Sequence, residues 1–133
     1  MTLKSNVHIE GSGINASILK LPNGANTDVI TTNGFAALTG TDSRGGINRV
    51  TIDNITIDGN KASNSTGYGI RKYGAQWNVH DVVIRNCAQD GVWSTWGTYA
   101  NPPPGFDSME DKWTNIWVNN NAGNGITWYG PHD

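Results

Sequence analysis

The sequence predicts an all-β chain built as a stack of similar coils, a parallel β-helix (β-solenoid) of about three to five turns. Three observations lead there. The first is an internal repeat: Asn54-Ile55-Thr56-Ile57-Asp58-Gly59-Asn60 is echoed by Asp81-Val82-Val83-Ile84-Arg85-Asn86-Cys87 and by Asn115-Ile116-Trp117-Val118-Asn119-Asn120-Asn121. Each copy is followed by a shorter phrase, Gly69-Ile70-Arg71, Gly91-Val92-Trp93 and Gly125-Ile126-Thr127. The second is period-2 alternation of β-branched residues within every copy, with no helical apolar period of useful length. The third is a composition rich in turn formers: Asn is as frequent as Gly, which occurs 17 times, and only 15% of residues are charged. A repeat in the twenties to forties means that no copy buries its apolar row alone and that neighbours must stack.

Taken in order, residues 3–13 read as a strand and turn, with Val7 and Ile9 inward and His8 and Glu10 outward. Short strands follow at 17–21 and 28–32, separated by a turn at Pro22-Asn23-Gly24, where Pro fixes φ and Asn-Gly accepts positive φ. A further strand is expected at 35–39, then a loop at 42–46. From Val50 the pattern is clear: Val50-Thr51-Ile52 and Ile55-Thr56-Ile57 form two segments split by Asp53-Asn54, and 61–67 is a polar loop. The interval between copies is 27 residues and then 34. The longer interval holds an insertion at 98–111, whose Pro102-Pro103-Pro104 lack amide donors and are excluded from a strand ladder. The organisation is a single domain over 1–133, with N-terminal coils at 1–48 and clear repeats at 49–133. Faint similarity in Asn6-Val7-His8-Ile9-Glu10-Gly11 suggests an early copy of the Ile55 phrase.

The inward columns are then Ile55, Val82 and Ile116; Ile57, Ile84 and Val118; and Ile70, Val92 and Ile126. Asn60 and Asn121 occupy corners where left-handed backbone is needed, which Asn tolerates better than most residues. Trp77 and Trp113 precede repeat strands and read as core or corner packing. The chain stops where another coil would start, and a bare β edge invites aggregation; the expectation is a piece of a longer helix.

This pattern of Asn54-Ile55-Thr56-Ile57 copies and Gly-Ile/Val phrases resembles the right-handed β-helix proteins of the pectate-lyase-like superfamily, which includes phage tailspikes and polysaccharide lyases, hydrolases and epimerases. The resemblance is strongest over 50–129. It implies a right-handed coil and a polysaccharide ligand, in a virion tail or extracellular setting, with sister subunits of a homotrimer or further coils of the same chain as partners. A fold of this breadth leaves the chemistry open.

Several classes are set aside by composition. A formal net charge of −2 gives no field for a polyanion, so nucleic acid is not an expected partner. No apolar run approaches a membrane span. The single Cys87 excludes an internal disulfide and reads as a small buried hydrophobe. No Cys/His set has zinc spacing and no acid cluster has calcium-loop spacing, so no metal or other cofactor is expected. His8 and His80 read as surface or corner residues.

Chemistry must then sit on the outward positions. One outward column is Glu10, Asp58, Arg85 and Asn119; another is Arg71, Trp93 and Thr127, with Tyr73 and Tyr129 two residues on. Successive coils stand about 4.8 Å apart, so Arg71, Tyr73, Trp93, Trp96, Trp128 and Tyr129 form a candidate sugar-binding strip. Flat rings suit the CH-rich face of a sugar and bury large area at small entropic cost. The six tryptophans all fall between Trp77 and Trp128. For cleavage, a hydrolase needs two carboxyls about 5–5.5 Å or about 6.5–9.5 Å apart; the candidates are Asp58, Asp90 and Glu110, the last on the insertion. The functional expectation is a tailspike-like module that binds a cell-surface polysaccharide and has carboxylates available for depolymerising it. Alternatives are a secreted lyase, hydrolase or epimerase, and a structural coil stack without ligand.

Overall fold

The structure is a computed structural model, and it describes residues 1–32, 47–94 and 111–129. The expected strand at 35–39, most of the insertion at 98–111, and Trp96 and Glu110 lie outside the described residues.

Ten strands and no helix are present among the described residues. In chain order they are β1 (Thr2–Leu3), β2 (Val7–Glu10), β3 (Ile18–Lys20), β4 (Ile30–Thr32), β5 (Val50–Asp58), β6 (Ile70–Lys72), β7 (Trp77–Arg85), β8 (Val92–Ser94), β9 (Lys112–Asn119) and β10 (Ile126–Trp128). They form two sheets. A short-strand sheet has the order β1-β4-β6-β8-β10, and a long-strand sheet has the order β2-β5-β7-β9, with β3 also paired to β5. Every pairing is parallel. From β4 onward the chain alternates between the sheets, so each strand's partner is the next strand but one. Short connections therefore suffice, although parallel neighbours cannot be joined by a hairpin.

The registers reproduce the repeat read from the sequence. Ile55 lies beside Val82 and Val82 beside Ile116; Ile57 lies beside Ile84 and Ile84 beside Val118. In the short-strand sheet Ile70 lies beside Val92 and Val92 beside Ile126. One core cluster collects most of these residues from both sheets, with Ile57, Ile70, Val82, Ile84 and Val92 wholly buried and Ile116 and Val118 packed against it; Ile126, on the last short strand, is instead 50% exposed. Gly69 and Gly91 precede the short strands because the backbone is crowded there. A β-carbon on Gly69 would stand 2.5 Å from the Gly91 carbonyl oxygen, and one on Gly91 would stand 2.7 Å from that of Gly125.

Left-handed backbone recurs in register. Asn54, Asp81 and Asn115 have φ of 53°, 55° and 53° and bend β5, β7 and β9 at the same level. Asn6, Arg49 and Gln76 do so one residue before β2, β5 and β7, with φ of 62°, 58° and 61°. Asn86 and Asn120 turn the chain just after β7 and β9, with φ of 55° and 53°. Asn and Asp enter this region at lower cost than other side-chain-bearing residues.

Four expectations are corrected. Val50-Thr51-Ile52 and Ile55-Thr56-Ile57 belong to one long strand bent at Asn54, since an αL residue turns the chain without ending its ladder. Asn60 is left-handed at φ 49°, but the matching corner on β9 is Asn120 rather than Asn121. The phrase at Val7 pairs with Val50, not Ile55, because β5 is long enough to take β2 along its first half and β3 along its second. Glu10 consequently stands beside Asp53, and Lys20 takes the place beside Asp58. Trp77 is 1% exposed, and Trp113 packs against the core, as their positions before the repeat strands imply.

Candidate functional site

Alternation along the short strands decides which side chains face out. In β6 and β8 the middle residue points away from the core, and register places Arg71, Trp93 and Thr127 of β10 side by side. Two tyrosines join them from the flanking loops. Tyr68 stacks on Trp93 with centroids 5.7 Å apart and planes at 30°. Tyr129 meets the other side of Trp93 edge-on at 6.1 Å and 66°. The Arg71 guanidinium lies 5.4 Å from the Tyr68 centroid and 5.1 Å from that of Trp93, so it is attracted by both ring faces. Asp28, 3.9 Å from Arg71 Nη1, adds a long ion pair. Burial raises the Tyr68 hydroxyl above its ordinary pKa, which keeps it a neutral donor; the Gln89 amide approaches that hydroxyl at 3.2 Å.

Asp90 borders this strip. One of its oxygens accepts the Asn124 amide at 2.8 Å, and the other accepts the Thr127 hydroxyl at 2.7 Å. It thereby fixes the loop before β10 and orients a member of the outward column.

Asp58 has a different setting. Its carboxylate accepts from the Asn60 amide at 2.9 Å, Arg85 Nε at 2.9 Å and Asn86 Nδ2 at 3.0 Å. Burial alone would raise its pKa, but these donors outweigh burial and hold it below the usual carboxylate range. A carboxyl kept ionised in this way is unsuited to donating a proton. Asp58 and Asp90 bond to separate partner sets at the ends of different strands, β5 and β7–β8. Glu110 lies outside the described residues, as does Trp96.

Two of the expected binding rings face the core instead. Trp128 stands in the row of Lys72 and Ser94, both wholly buried, because Thr127 before it takes the outward place. Its ring meets Trp113 at 5.6 Å and 89°, and lies 5.0 Å from Lys72 Nζ. Tyr73 is 2% exposed. The pleat ends at Lys72, so Lys72 and Tyr73 both turn inward, and the Tyr73 carbonyl accepts the Ile47 amide at 3.0 Å. Reading strand alternation past the end of β6 puts Tyr73 on the wrong face.

Tyr68, Asp28 and Asn124 are the strip residues that sequence reasoning missed. Tyr68 carried a usable signal, since it directly precedes the repeated Gly-Ile phrase and so enters the strip from the loop. Cys87 is buried, and burial pushes its thiol up to about 12, which leaves it unreactive near neutral pH. Comparison with known proteins finds no matching family model, no matching curated protein and no matching solved structure.

Proposed function

We propose that the chain is a stretch of right-handed parallel β-helix of the pectate-lyase-like, tailspike type, and that it binds a cell-surface polysaccharide along the outer face of its short-strand sheet. The observation that carries this reading is the outward set Tyr68, Arg71, Trp93 and Tyr129, in which the Trp93 ring centroid lies 5.7 Å from that of Tyr68 and 6.1 Å from that of Tyr129, both from flanking loops. A parallel stack repeats such a set at nearly the spacing of its strands, which suits a polymer better than a single small molecule. Ring surface on Trp93 and Tyr129 would take the apolar face of a sugar. The Arg71 guanidinium supplies donors, and Asp90 with Asn124 and Thr127 supplies acceptors and further donors, for its hydroxyls.

Binding is favoured over cleavage as the role of this face. Asp58 is committed to Arg85, Asn86 and Asn60, and Asp90 to Asn124 and Thr127. A polysaccharide ligand implies a virion-tail or extracellular setting, with trimer partners or further coils extending the strip. Glycan-array binding followed by titration of Trp93→Ala and Tyr129→Ala tests the reading. The expected result is at least a tenfold loss of affinity with unchanged circular dichroism. Wild-type affinity in both variants, or no glycan bound by the full chain, would sink it.

A further inference from the structure

The corner between β5 and β6 is longer than its counterparts. It spans eleven residues, 59–69, whereas the corners between β7 and β8 and between β9 and β10 span six each, 86–91 and 120–125. The extra length folds against the 22–26 turn and is locked to it. Gly24 N donates to the Ser63 carbonyl at 2.8 Å, and Asn64 Nδ2 donates to the Pro22 carbonyl at 3.0 Å. Asn26 N donates to Asn64 Oδ1 at 2.9 Å, and Ser65 N donates to Asn26 Oδ1 at 2.8 Å. Asn26 is left-handed at φ 48°, and Asn64 is 5% exposed. The two asparagines thus interlock as a fixed floor.

Over this floor lies a cleft of about 460 Å³, lined by Asn26, Lys61, Ala62, Ser63, Asn64 and Ser65. Donors and acceptors decide what it can hold. Both asparagine side-chain oxygens are engaged, Asn64 Oδ1 by the Asn26 amide and Asn26 Oδ1 by the amide and hydroxyl of Ser65. Both protons of Asn64 Nδ2 are also engaged, by the Pro22 and Asn60 carbonyls. Lys61 Nζ gives one proton to Asn120 Oδ1 at 3.0 Å and has two more to offer. Asn26 Nδ2 donates to the Gly24 carbonyl at 3.2 Å and has one more; the Ser63 hydroxyl is a further donor. No carboxylate lines the cleft. One cation and several donors, with the asparagine acceptors already engaged, favour a ligand group that is ionised and only accepts.

The cleft is also tied to the aromatic strip. Thr66 Oγ1 and Gly67 N both donate to Gln89 Oε1, at 2.8 and 3.0 Å, and Gln89 Nε2 donates to the Tyr68 hydroxyl at 3.2 Å. Ser65 and Tyr68 are three residues apart, so their Cα atoms lie at most about 11 Å from each other. We propose that the cleft around Lys61 is a subsite for an anionic substituent, a carboxylate, sulfate or phosphate, on a sugar next to those held by the Tyr68–Trp93 strip. The glycan as its carrier rests on the polysaccharide reading above; the anion site rests on the donors of the cleft alone. Lys61 neutralises the charge, and Ser63 with Asn26 orients the oxygens. Exposed Asn26, Ala62, Ser63 and Ser65 leave the mouth open to a polymer.

Titration of the ¹⁵N-labelled full chain with sodium sulfate, sodium phosphate, sodium glucuronate and neutral methyl glucoside, at constant ionic strength, tests the cleft by amide shifts. Expected are saturable shifts at residues 61–65 and Asn26 with the anions and none there with the glucoside. The anion that saturates at the lowest concentration names the substituent. Lys61→Gln should weaken anion binding at least tenfold, whereas Lys4→Gln, an exposed lysine outside the cleft, should leave it unchanged. A glycan that carries the substituent should then lose at least tenfold in affinity for Lys61→Gln, and the same glycan without its charge should bind wild type and Lys61→Gln alike. Absence of saturable shifts at 61–65 with all three anions overturns the site, as do equal shifts in wild type and Lys61→Gln. Anion binding in the cleft with glycan affinity unchanged in Lys61→Gln overturns its place beside the strip. A chain that retains no glycan sinks the polysaccharide reading, and the anion titration then decides the cleft by itself.

Discussion

Two carboxylate–cation pairs hold this molecule at different depths, and their contrast shows how burial reverses the meaning of similar distances. Asp58 and Arg85 meet at 2.9 Å at the corner after β5, where the arginine side chain is 37% exposed. Asp111 and Lys72 meet at 2.6 Å inside the protein, with side chains 3% and 0% exposed. The corner carboxylate is pulled below its usual range by three donors. The interior one is raised, because burial outweighs the lysine beside it, the Trp77 amide that it accepts at 2.9 Å, and Trp113. Lys72 Nζ also donates to the Gly74 carbonyl at 2.6 Å and lies near the Trp77 and Trp128 rings. The outer pair stabilises as an ion pair; the inner pair mainly secures the entry to β9.

The largest effect that would sharpen this contrast is expected inside. Lys72→Ala leaves Asp111 buried and uncompensated, and should cost about 3–5 kcal/mol in urea unfolding. Combining Lys72→Met with Asp111→Asn removes both charges, keeps the acceptor for the Trp77 amide, and should recover most of that loss. If the double variant is no more stable than Lys72→Ala, charge burial is not the cause.

At the corner, Asp58→Ala deprives buried donors of their acceptor and should cost about 1–3 kcal/mol. The pH dependence separates the two carboxylates by sign. Asp58 binds fewer protons folded than unfolded near its ordinary value of 3.8, so its stabilisation is present above that pH and lost as pH falls through the lowered folded value. Asp111 binds more protons folded, so its contribution improves as pH falls from its raised value toward 3.8. Urea midpoints between pH 6 and 3 should therefore fall less steeply in Asp58→Asn and more steeply in Asp111→Asn, relative to wild type. Parallel curves for the two variants would break the comparison.

Arg85→Ala should give the smallest change, about 1 kcal/mol or less, since its guanidinium is partly solvated and Asn86 still reaches Asp58. A loss comparable to Lys72→Ala would mean that the corner pair behaves as a buried one.

The inward rows were legible in the sequence because burial demands the same answer at every level of the stack. Ile55, Val82 and Ile116, or Ile70 and Val92, are near-synonyms, and their alignment, continued by the half-exposed Ile126, gives the parallel registers directly. Facing was legible only while strand alternation held: Trp93 points outward as expected, whereas Tyr73 lies one step past the end of β6. The pair Lys72–Asp111 left no periodic trace, since its members belong to different sheets, on β6 and just before β9, and sit where apolar residues would be expected. The contact of His8 with Asp53 was hidden by register: matching Val7 to Ile55 sets His8 beside Thr56, whereas the match to Val50 sets it beside Thr51, from where its ring reaches Asp53.

The left-handed residues at Asn54, Asp81 and Asn115 have one further consequence. Strands β5 and β7 are offset by 27 positions and β7 and β9 by 34, yet all three bend at the same level. Pairing, not chain length, sets the level of each bend, so a difference in length stays in its own connection and is not passed to the next. Such a stack can acquire or shed surface loops one at a time, and its outer chemistry can be rewritten while the inner rows stay in step.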